Sequence, residues 1–359
     1  ALHNPESIPT CLKQIVGHPM LITESTWVPP LLYQTEGPLL IAAYQSLSGV
    51  DAYYWFSMTQ ATWEKDPRFP WARVRGMNPL FKWSSSVPTI LGGFPASALL
   101  YRKGYLKQGR TVVHEERSLA NLWKRKVPII SEAGTFDPNR NKGDYAPKST
   151  IKQEVDRLAF LVGRVEVKYG GDPARNRAVN LKPYVDRQRK LVKSITGQVQ
   201  LDYGTGLFKV DAPKAQGVTG FLKKAGGTFK LGDVTIQSGD DYATVTVVPL
   251  DDEPIASSAR VLVQVGTTER LTGWADRKLD FKSSDGKRTF HGREIVSVGT
   301  PPWRIANAHV TVTVSNPDLK RATLLDAGGY AGGDVPVQRR GRLLTVKCPE
   351  TTIWLVLTK

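Results

Sequence analysis

Cysteine, histidine and long apolar runs are scarce in this chain, and each scarcity excludes a class of protein. The 359 residues include two cysteines and five histidines, without the spacing of a zinc or redox motif. No stretch reaches the ~20 apolar residues that a membrane-spanning helix needs. Cys11 and Cys348 stand at opposite ends of the sequence, and we expect both to be buried, ordinary thiols. The sequence indicates no cofactor, no metal and no membrane contact.

Acidic residues are outnumbered by basic ones, which gives a net charge of +16. Residues 1–127 hold 14 basic and 8 acidic side chains, and the remaining residues hold 35 and 25, so the excess is spread along the chain. Binding to nucleic acid predicts basic residues clustered with aromatic ones, and the spread charge argues against it. A diffuse basic surface can still attract an anionic glycan, either sulfated or built from uronic acids.

The first third of the sequence alternates strand-like and helix-like segments. PMLITE is typical of a short strand, GPLLIAAYQSLSG of a helix that ends at Gly49, and VDAYYWFSM of a second strand. VPTILGGFPASALLYRKGYLKQG predicts a helix that is bent or broken at its Gly-Gly pair. This order is typical of a parallel α/β fold, and 1–110 would supply two or three βα units of a (β/α)8 barrel, which takes about 250 residues.

The sequence changes character after 1–110. A strand, a short helix and a polar loop rich in Gly, Pro and Asn fill 111–160 as a connecting segment. Over 161–359, Val, Thr and Ile alternate with polar residues and glycines mark the turns, which predicts one or two antiparallel β-sandwich domains. The predicted fold class is therefore α/β plus all-β, with the last strands and helices of a barrel whose front half is absent, followed by β-sandwich structure.

One acid stands out because it closes an apolar strand. In HPMLITESTW, Glu24 would lie at the carboxyl end of the strand, where βα barrels build their active sites. Strand alternation would place Glu24 on the same face as Ile22. The next loop contains Trp27 and Tyr33, and the next strand ends in Tyr53, Tyr54, Trp55 and Phe56. Aromatic rings cover the apolar faces of sugars and carboxylates bind their hydroxyl edges, so this set predicts a saccharide site.

ITESTW, followed by a helix and VDAYYWF, resembles the last two strands of the retaining glycoside hydrolases of clan A, which are (β/α)8 barrels. The resemblance implies that Glu24 is the nucleophile and that Trp55 lies beneath the sugar whose bond is cleaved. It also places His3 near the end of the preceding strand, where these enzymes often have a His or Tyr close to the nucleophile. The β-rich tail is similar to the accessory domains that such enzymes often carry.

The proton donor of that clan, a Glu at the tip of its fourth strand, has no counterpart in this chain. Retaining hydrolysis needs two carboxyls about 5–5.5 Å apart. We therefore expect the donor upstream, in a missing N-terminal half of the barrel that is covalent or a separate chain, and we expect this chain alone to be inactive. In-chain substitutes would be Glu36, Asp51 or Glu64. The compartment stays open, with secretion or the periplasm slightly favoured.

Two other interpretations remain open at this point. Glu24 could be a structural acid that is salt-bridged or that caps the following turn, and Trp55 could be a core aromatic. The chain could also be a non-catalytic carbohydrate-binding or scaffold protein whose β domains hold a polymer through surface aromatics. An open cleft around Glu24 would favour the enzyme, and a covered Glu24 would favour the alternative.

Overall fold

The fold is predominantly β. The computed structural model describes residues 1–27, 30–56, 85–133, 154–283 and 285–359. Strands account for 41% of the described residues and helices for 14%. The predicted half of a (β/α)8 barrel is wrong, because the strands in the described ranges form several separate, largely antiparallel sheets and no half-barrel is present there. Glu64 and most of the loop predicted within 111–160 lie outside the described residues.

The described helices and strands are numbered here in chain order. The α-helices are α1 (Glu36–Ser48), α2 (Pro88–Leu91), α3 (Phe94–Arg102) and α4 (Leu119–Trp123). The first twelve strands are β1 (Gln14–Ile15), β2 (Leu21–Ser25), β3 (Ala52–Trp55), β4 (Thr111–Arg117), β5 (Arg164–Tyr169), β6 (Arg177–Ala178), β7 (Val185–Asp186), β8 (Leu191–Lys193), β9 (Val199–Asp202), β10 (Leu207–Ala212), β11 (Ala215–Gly220) and β12 (Thr228–Lys230). The others are β13 (Val234–Ser238), β14 (Ala243–Pro249), β15 (Arg260–Gly266), β16 (Glu269–Thr272), β17 (Ala275–Lys282), β18 (Thr289–Ser297), β19 (Thr300–Ile305), β20 (Val310–Ser315), β21 (Arg321–Leu325), β22 (Ala331–Val335), β23 (Val337–Arg340), β24 (Leu343–Lys347) and β25 (Trp354–Thr358).

Two antiparallel sheets share one core in the C-terminal part of the chain. Ten strands follow the order β22-β21-β25-β15-β14-β11-β10-β9-β8-β7, and five follow the order β12-β13-β20-β24-β23. Buried residues of both sheets, among them Val245, Val263, Ile236 and Val312, belong to a single apolar cluster. The alternation of Val, Thr and Ile that predicted antiparallel β structure is seen in strands such as β13 and β20, where every second residue enters this cluster.

A second core lies against the ten-stranded sheet and contains the helices. Leu40 of α1 and Leu100 of α3 pack in one cluster with Phe208 and Val210 of β10. Every residue of α1 is buried, because α3, β5, β11 and β14 all pack against this helix. An all-round apolar helix is typical of such burial. The same apolar run would suit the covering helix of a barrel, which is why the sequence favoured that fold.

Strands from the first third of the chain are divided between different sheets. β1 pairs in parallel with β5, β4 pairs in parallel with the other edge of β5, and β6 pairs antiparallel with β4. β2 and β3 form a separate two-stranded parallel sheet. In a barrel, successive parallel strands pair side by side in one sheet. Here β1 pairs instead with β5, which comes from the region in which the sequence predicted sandwich strands.

Two local predictions about helix ends are confirmed. α1 ends at Gly49, whose φ of 72° lies in the left-handed region that favours glycine. The helix predicted after Val87 is broken, since α2 ends at Leu91 and α3 begins at Phe94, on either side of Gly92-Gly93. The ends of these helices therefore follow the backbone preferences of glycine and proline.

Both cysteines are buried and free, as the sequence predicted. Burial raises the pKa of the Cys348 thiol to about 12 and also raises the pKa of Cys11. Neither sulfur is a thiolate at neutral pH, so neither is a candidate nucleophile.

Candidate functional site

β2 and β3 run side by side in parallel and end at the same edge, with α1 as their connection. Their register pairs Ile22 with Tyr53 and Ser25 with Trp55. Between these two pairs β2 advances by three residues and β3 by two. β2 therefore has one extra residue, a β-bulge, at 23–24. Bulges redirect side chains and are frequent next to active sites.

Glu24 lies in this bulge and is exposed. Simple alternation predicted that Glu24 and Ile22 share a face, yet Ile22 is 7% exposed. We attribute the difference to the extra residue, which shifts the alternation of the strand. Glu24 makes no hydrogen bond or ion pair with another described residue. Within the described part of the chain, no partner holds this carboxylate as one would hold a structural acid.

Tyr53 and Trp55 line a groove of about 460 Å³ between β3, α1 and α3. Their rings meet edge to face at 5.1 Å, and Trp55 contacts the ring of Phe94 at 5.2 Å. The Tyr53 hydroxyl is buried without a hydrogen-bond partner of good geometry among the described residues. Burial raises the pKa of Tyr53, and the nearby Ser25 side chain opposes part of the rise. The groove is mainly apolar and presents the aromatic rings as its walls.

Trp27 is fixed beside Trp55 by packing and by a hydrogen bond. Its side chain is 6% exposed, its ring lies 6.0 Å from that of Trp55, and its Nε1–H donates to Glu36 Oε1 at 2.8 Å. Gly37 permits this fit, because a Cβ there would lie 2.9 Å from the Trp27 ring. Trp27 also borders a second cavity, of about 260 Å³, whose lining includes Tyr33 and Glu36.

Tyr33 belongs to a cluster of four rings. It packs on Tyr242 at 4.1 Å and on Phe221 at 5.1 Å, and 37% of its surface is exposed. His3 stacks on Phe221 at 5.3 Å, and its Nδ1 lies 2.9 Å from the carbonyl oxygen of Tyr203. The structure thus brings His3 and Tyr33 together through Phe221, which contacts both rings.

Glu36 and Asp51, the in-chain alternatives for a second carboxyl, both have structural partners. Glu36 is 2% exposed and accepts hydrogen bonds from Trp27 Nε1–H and from the hydroxyl of Tyr242. Burial first, and then the neighbouring Glu36 carboxylate, raises the pKa of Tyr242. Asp51 Oδ2 accepts a hydrogen bond from the backbone N–H of Met20 at 2.7 Å. Carboxylates engaged in this way hold the loops around the site and are poorly placed to exchange protons with a substrate.

Arg270 and Trp274 form a cation–aromatic pair that sequence reasoning missed. The Arg270 guanidinium lies over the Trp274 ring at 4.5 Å, which is a cation–π contact. Arg270 is half-buried and lies close enough to Tyr33 and to Asp276 to interact with both electrostatically. No local sequence pattern predicts that Arg270 interacts with Tyr33, because the two residues are far apart in the sequence.

Glu269, which was also missed, is a buried acid at the start of β16. Its Oε2 accepts a hydrogen bond from the backbone N–H of Thr89 at 2.9 Å, and its Oε1 has no partner of good geometry within the described part of the chain. Burial raises the pKa of Glu269 to about 7, against the opposing effects of Thr89 and Arg270. The side chain is 3% exposed, so its charge acts on folding rather than on a ligand.

The described residues give no sign of a bound metal or of a membrane span. No three His, Cys, Asp or Glu side chains among them are arranged to hold a metal ion. None of the helices in those ranges is both long enough and apolar enough to cross a bilayer. Comparisons of the chain with known protein families, with curated proteins and with solved structures found no match.

Proposed function

We propose that this chain carries the nucleophile and part of the sugar-binding surface of a retaining glycoside hydrolase. The observation that carries the proposal is Glu24, an exposed carboxylate in a strand bulge, without a bond to any other described residue. The neighbouring strand ends in Trp55, directly across from Ser25. Carboxylates beside aromatic rings suit saccharides, whose rings have apolar faces and polar edges.

In the proposed reaction a Glu24 oxygen attacks the anomeric carbon of the substrate. The new C–O bond to Glu24 forms as the bond to the leaving group breaks, which gives a glycosyl ester. A second carboxyl protonates the leaving group and then activates the water that hydrolyses the ester. Glu36 and Asp51 are held by structural hydrogen bonds. We therefore propose that this second carboxyl comes from a segment outside 1–359 or from a separate chain, with Glu64, which lies outside the described residues, as the in-chain alternative.

A dinitrophenyl glycoside tests the proposal, because dinitrophenolate leaves without a proton donor. We expect the chain to release about one equivalent of dinitrophenolate rapidly and then to turn over slowly, since the ester accumulates without its base. A series of gluco-, galacto-, manno- and xylo-configured substrates covers the common sugars. The burst is measured by absorbance in a stopped-flow instrument.

Glu24→Gln should remove this burst, and Asp51→Asn, which changes a neighbouring exposed acid in the same way, should retain it. Equal bursts from the two variants would show that Glu24 is not the nucleophile.

A non-catalytic carbohydrate-binding protein is the second candidate. The ring cluster of Tyr33, Phe221, Tyr242 and His3 favours it, because Tyr33 is partly exposed and already held by its neighbours. Such a preformed surface loses little side-chain entropy on binding a sugar. This candidate predicts saccharide affinity that depends on Tyr33, without a burst from any of the four glycosides.

A further inference from the structure

The short helix α4 carries the most exposed large apolar side chain of the described residues. This side chain is Trp123, which is 86% exposed, and Leu119 of the same helix is 62% exposed. The two residues are four positions apart, so they lie on the same side of the helix. No residue of α4 is buried, and Val127, shortly after the helix, is 46% exposed. Large apolar side chains that are exposed together mark an interaction surface.

The exposed side of α4 also includes a basic residue. At about 100° of rotation per residue, Leu119, Trp123 and Lys124 lie within one arc of the helix. Asn121 and Leu122 lie on the opposite side. The observed exposures agree with this geometry, because the first three residues are exposed and the other two are half-buried. The outward side of α4 therefore combines apolar and cationic side chains.

Three consecutive basic residues, 124–126, follow the helix, and all of them are exposed. Hydrogen bonds fix their turn, because the N–H of Lys126 donates to the carbonyl of Asn121 at 2.9 Å and the Arg117 guanidinium donates to the carbonyl of Lys126. Lys124 and Lys126 make no ion pair within the ranges that the structure describes. The turn therefore places positive charge directly beside the apolar side of α4.

Acidic side chains near α4 do not balance this charge. Glu115 and Glu116, which precede the helix, are 2% and 5% exposed and accept hydrogen bonds from backbone N–H groups. Asp172 is exposed nearby, since its own N–H is the donor to Glu116. Lys168 and Arg175, which are also exposed, act electrostatically on the same Glu116 carboxylate. The surface around α4 is therefore positive on balance and complements an anionic partner.

We infer that α4 and the turn at 124–126 dock the protein on the surface of an anionic lipid bilayer. Tryptophan prefers the headgroup region of a bilayer, and basic residues are attracted to anionic lipids. The exposed aliphatic side chains of Leu119 and Val127 favour a bilayer over a nucleic acid, because nucleic-acid binding uses aromatic stacking and charge. The apolar side chains enter the headgroup region while the cations contact the lipid phosphates.

Such docking differs from the expectation of no membrane contact, which rested on the lack of a spanning apolar stretch. A peripheral contact needs no such stretch. The sequence shows the three basic residues together, but only the structure shows that Leu119 and Trp123 face outward beside them. The inference goes beyond the proposed function and requires no reaction at Glu24.

Co-sedimentation with vesicles tests the inference. We expect the full chain to bind vesicles of mixed phosphatidylcholine and phosphatidylserine about tenfold or more tightly than vesicles of phosphatidylcholine alone. Leu119→Ala combined with Trp123→Ala, and separately Lys124→Gln combined with Lys126→Gln, should each weaken binding to the mixed vesicles by about tenfold. All four residues are exposed, so both variants should fold, which melting temperatures check.

Phosphatidylcholine with brominated acyl chains reports whether Trp123 enters the bilayer, because bromine quenches tryptophan fluorescence at short range. Mixed vesicles that contain this lipid should quench part of the wild-type fluorescence. Trp123→Phe keeps an apolar ring, so it should retain most of the vesicle binding and lose most of the quenching. Equal quenching of the two proteins would show that Trp123 stays outside the bilayer and would overturn the inference.

Two matched controls separate this surface from the rest of the molecule. Tyr330→Ala removes another exposed aromatic ring, and Lys230→Gln combined with Lys347→Gln removes two other exposed charges. Neither control should weaken vesicle binding. Equal losses in the controls, or equal binding to the two kinds of vesicle, would overturn the inference. Binding of an oligothymidylate, or self-association, that is lost in the Leu119 and Trp123 variant while vesicle binding is absent would also overturn it, in favour of a nucleic acid or a second copy.

Discussion

Replacing Glu24 with glycine should slow the first turnover of a dinitrophenyl glycoside by a factor on the order of a thousand or more, as expected for loss of a covalent nucleophile. Sodium azide should then restore release of dinitrophenolate, because the small anion can enter the space left by the carboxylate and attack the anomeric carbon. The product should be a glycosyl azide whose anomeric configuration is opposite to that of the substrate. Absorbance gives the rate and NMR gives the configuration.

Thr23→Gly is the matched control for this experiment. Thr23 is exposed in the same bulge, so the substitution adds the same backbone freedom and keeps the carboxylate. The control should retain most of the wild-type rate and gain nothing from azide. A similar loss in both variants would assign the effect to the bulge, and an azide product of unchanged configuration would contradict direct attack by Glu24.

Replacing Glu269 with glutamine should make the stability of the protein less dependent on pH. The folded-state pKa of Glu269 is raised to about 7, above the value of about 4.3 for an unfolded chain. Between these two pKa values the folded protein keeps a proton on Glu269 that the unfolded chain releases. This proton binding stabilises the folded state at low pH, and the stabilisation is lost as the pH rises through the folded-state pKa. Linkage gives a loss of about 2–3 kcal/mol in the free energy of unfolding between pH 5 and pH 8.

The glutamine variant lacks this titration, so its stability relative to wild type should rise by about the same 2–3 kcal/mol between pH 5 and pH 8. Denaturant midpoints of both proteins at the two pH values measure the difference, in which all other titrating groups cancel. Glu253→Gln, at an exposed carboxylate, should show no such change. A stability difference between wild type and Glu269→Gln that is the same at both pH values would contradict the prediction.

Local features of the fold were predictable where neighbours in sequence decide them. The strand that ends with Glu24 and Ser25, the helix closed by Gly49 and the break at Gly92-Gly93 follow from apolar periodicity and from the backbone preferences of glycine. The architecture was not predictable in this way. α1 is apolar on all sides because strands from far along the chain bury it, and a barrel helix can show the same pattern.

Only the local part of the candidate site was predictable from the sequence. Sequence reasoning placed Glu24 at a strand end beside aromatic residues, and that strand end is observed. The bulge at Glu24 interrupts the alternation of side chains along β2. It depends on the register between β2 and β3, which the local sequence does not predict. Phe221 packs on Tyr33 across a long separation in sequence, so no local pattern predicts that contact.

Covalent trapping tests the central claim most directly. A 2-deoxy-2-fluoroglycosyl fluoride transfers its sugar to the nucleophile with loss of fluoride, and the fluorine at C2 slows hydrolysis of the resulting ester. Intact-mass measurement and peptide mapping across the gluco, galacto, manno and xylo reagents should find one sugar per chain, attached to the peptide that contains Glu24, and no label in Glu24→Gln. A label on another carboxylate, or no label from any of the four reagents, would contradict the assignment of Glu24 as the nucleophile.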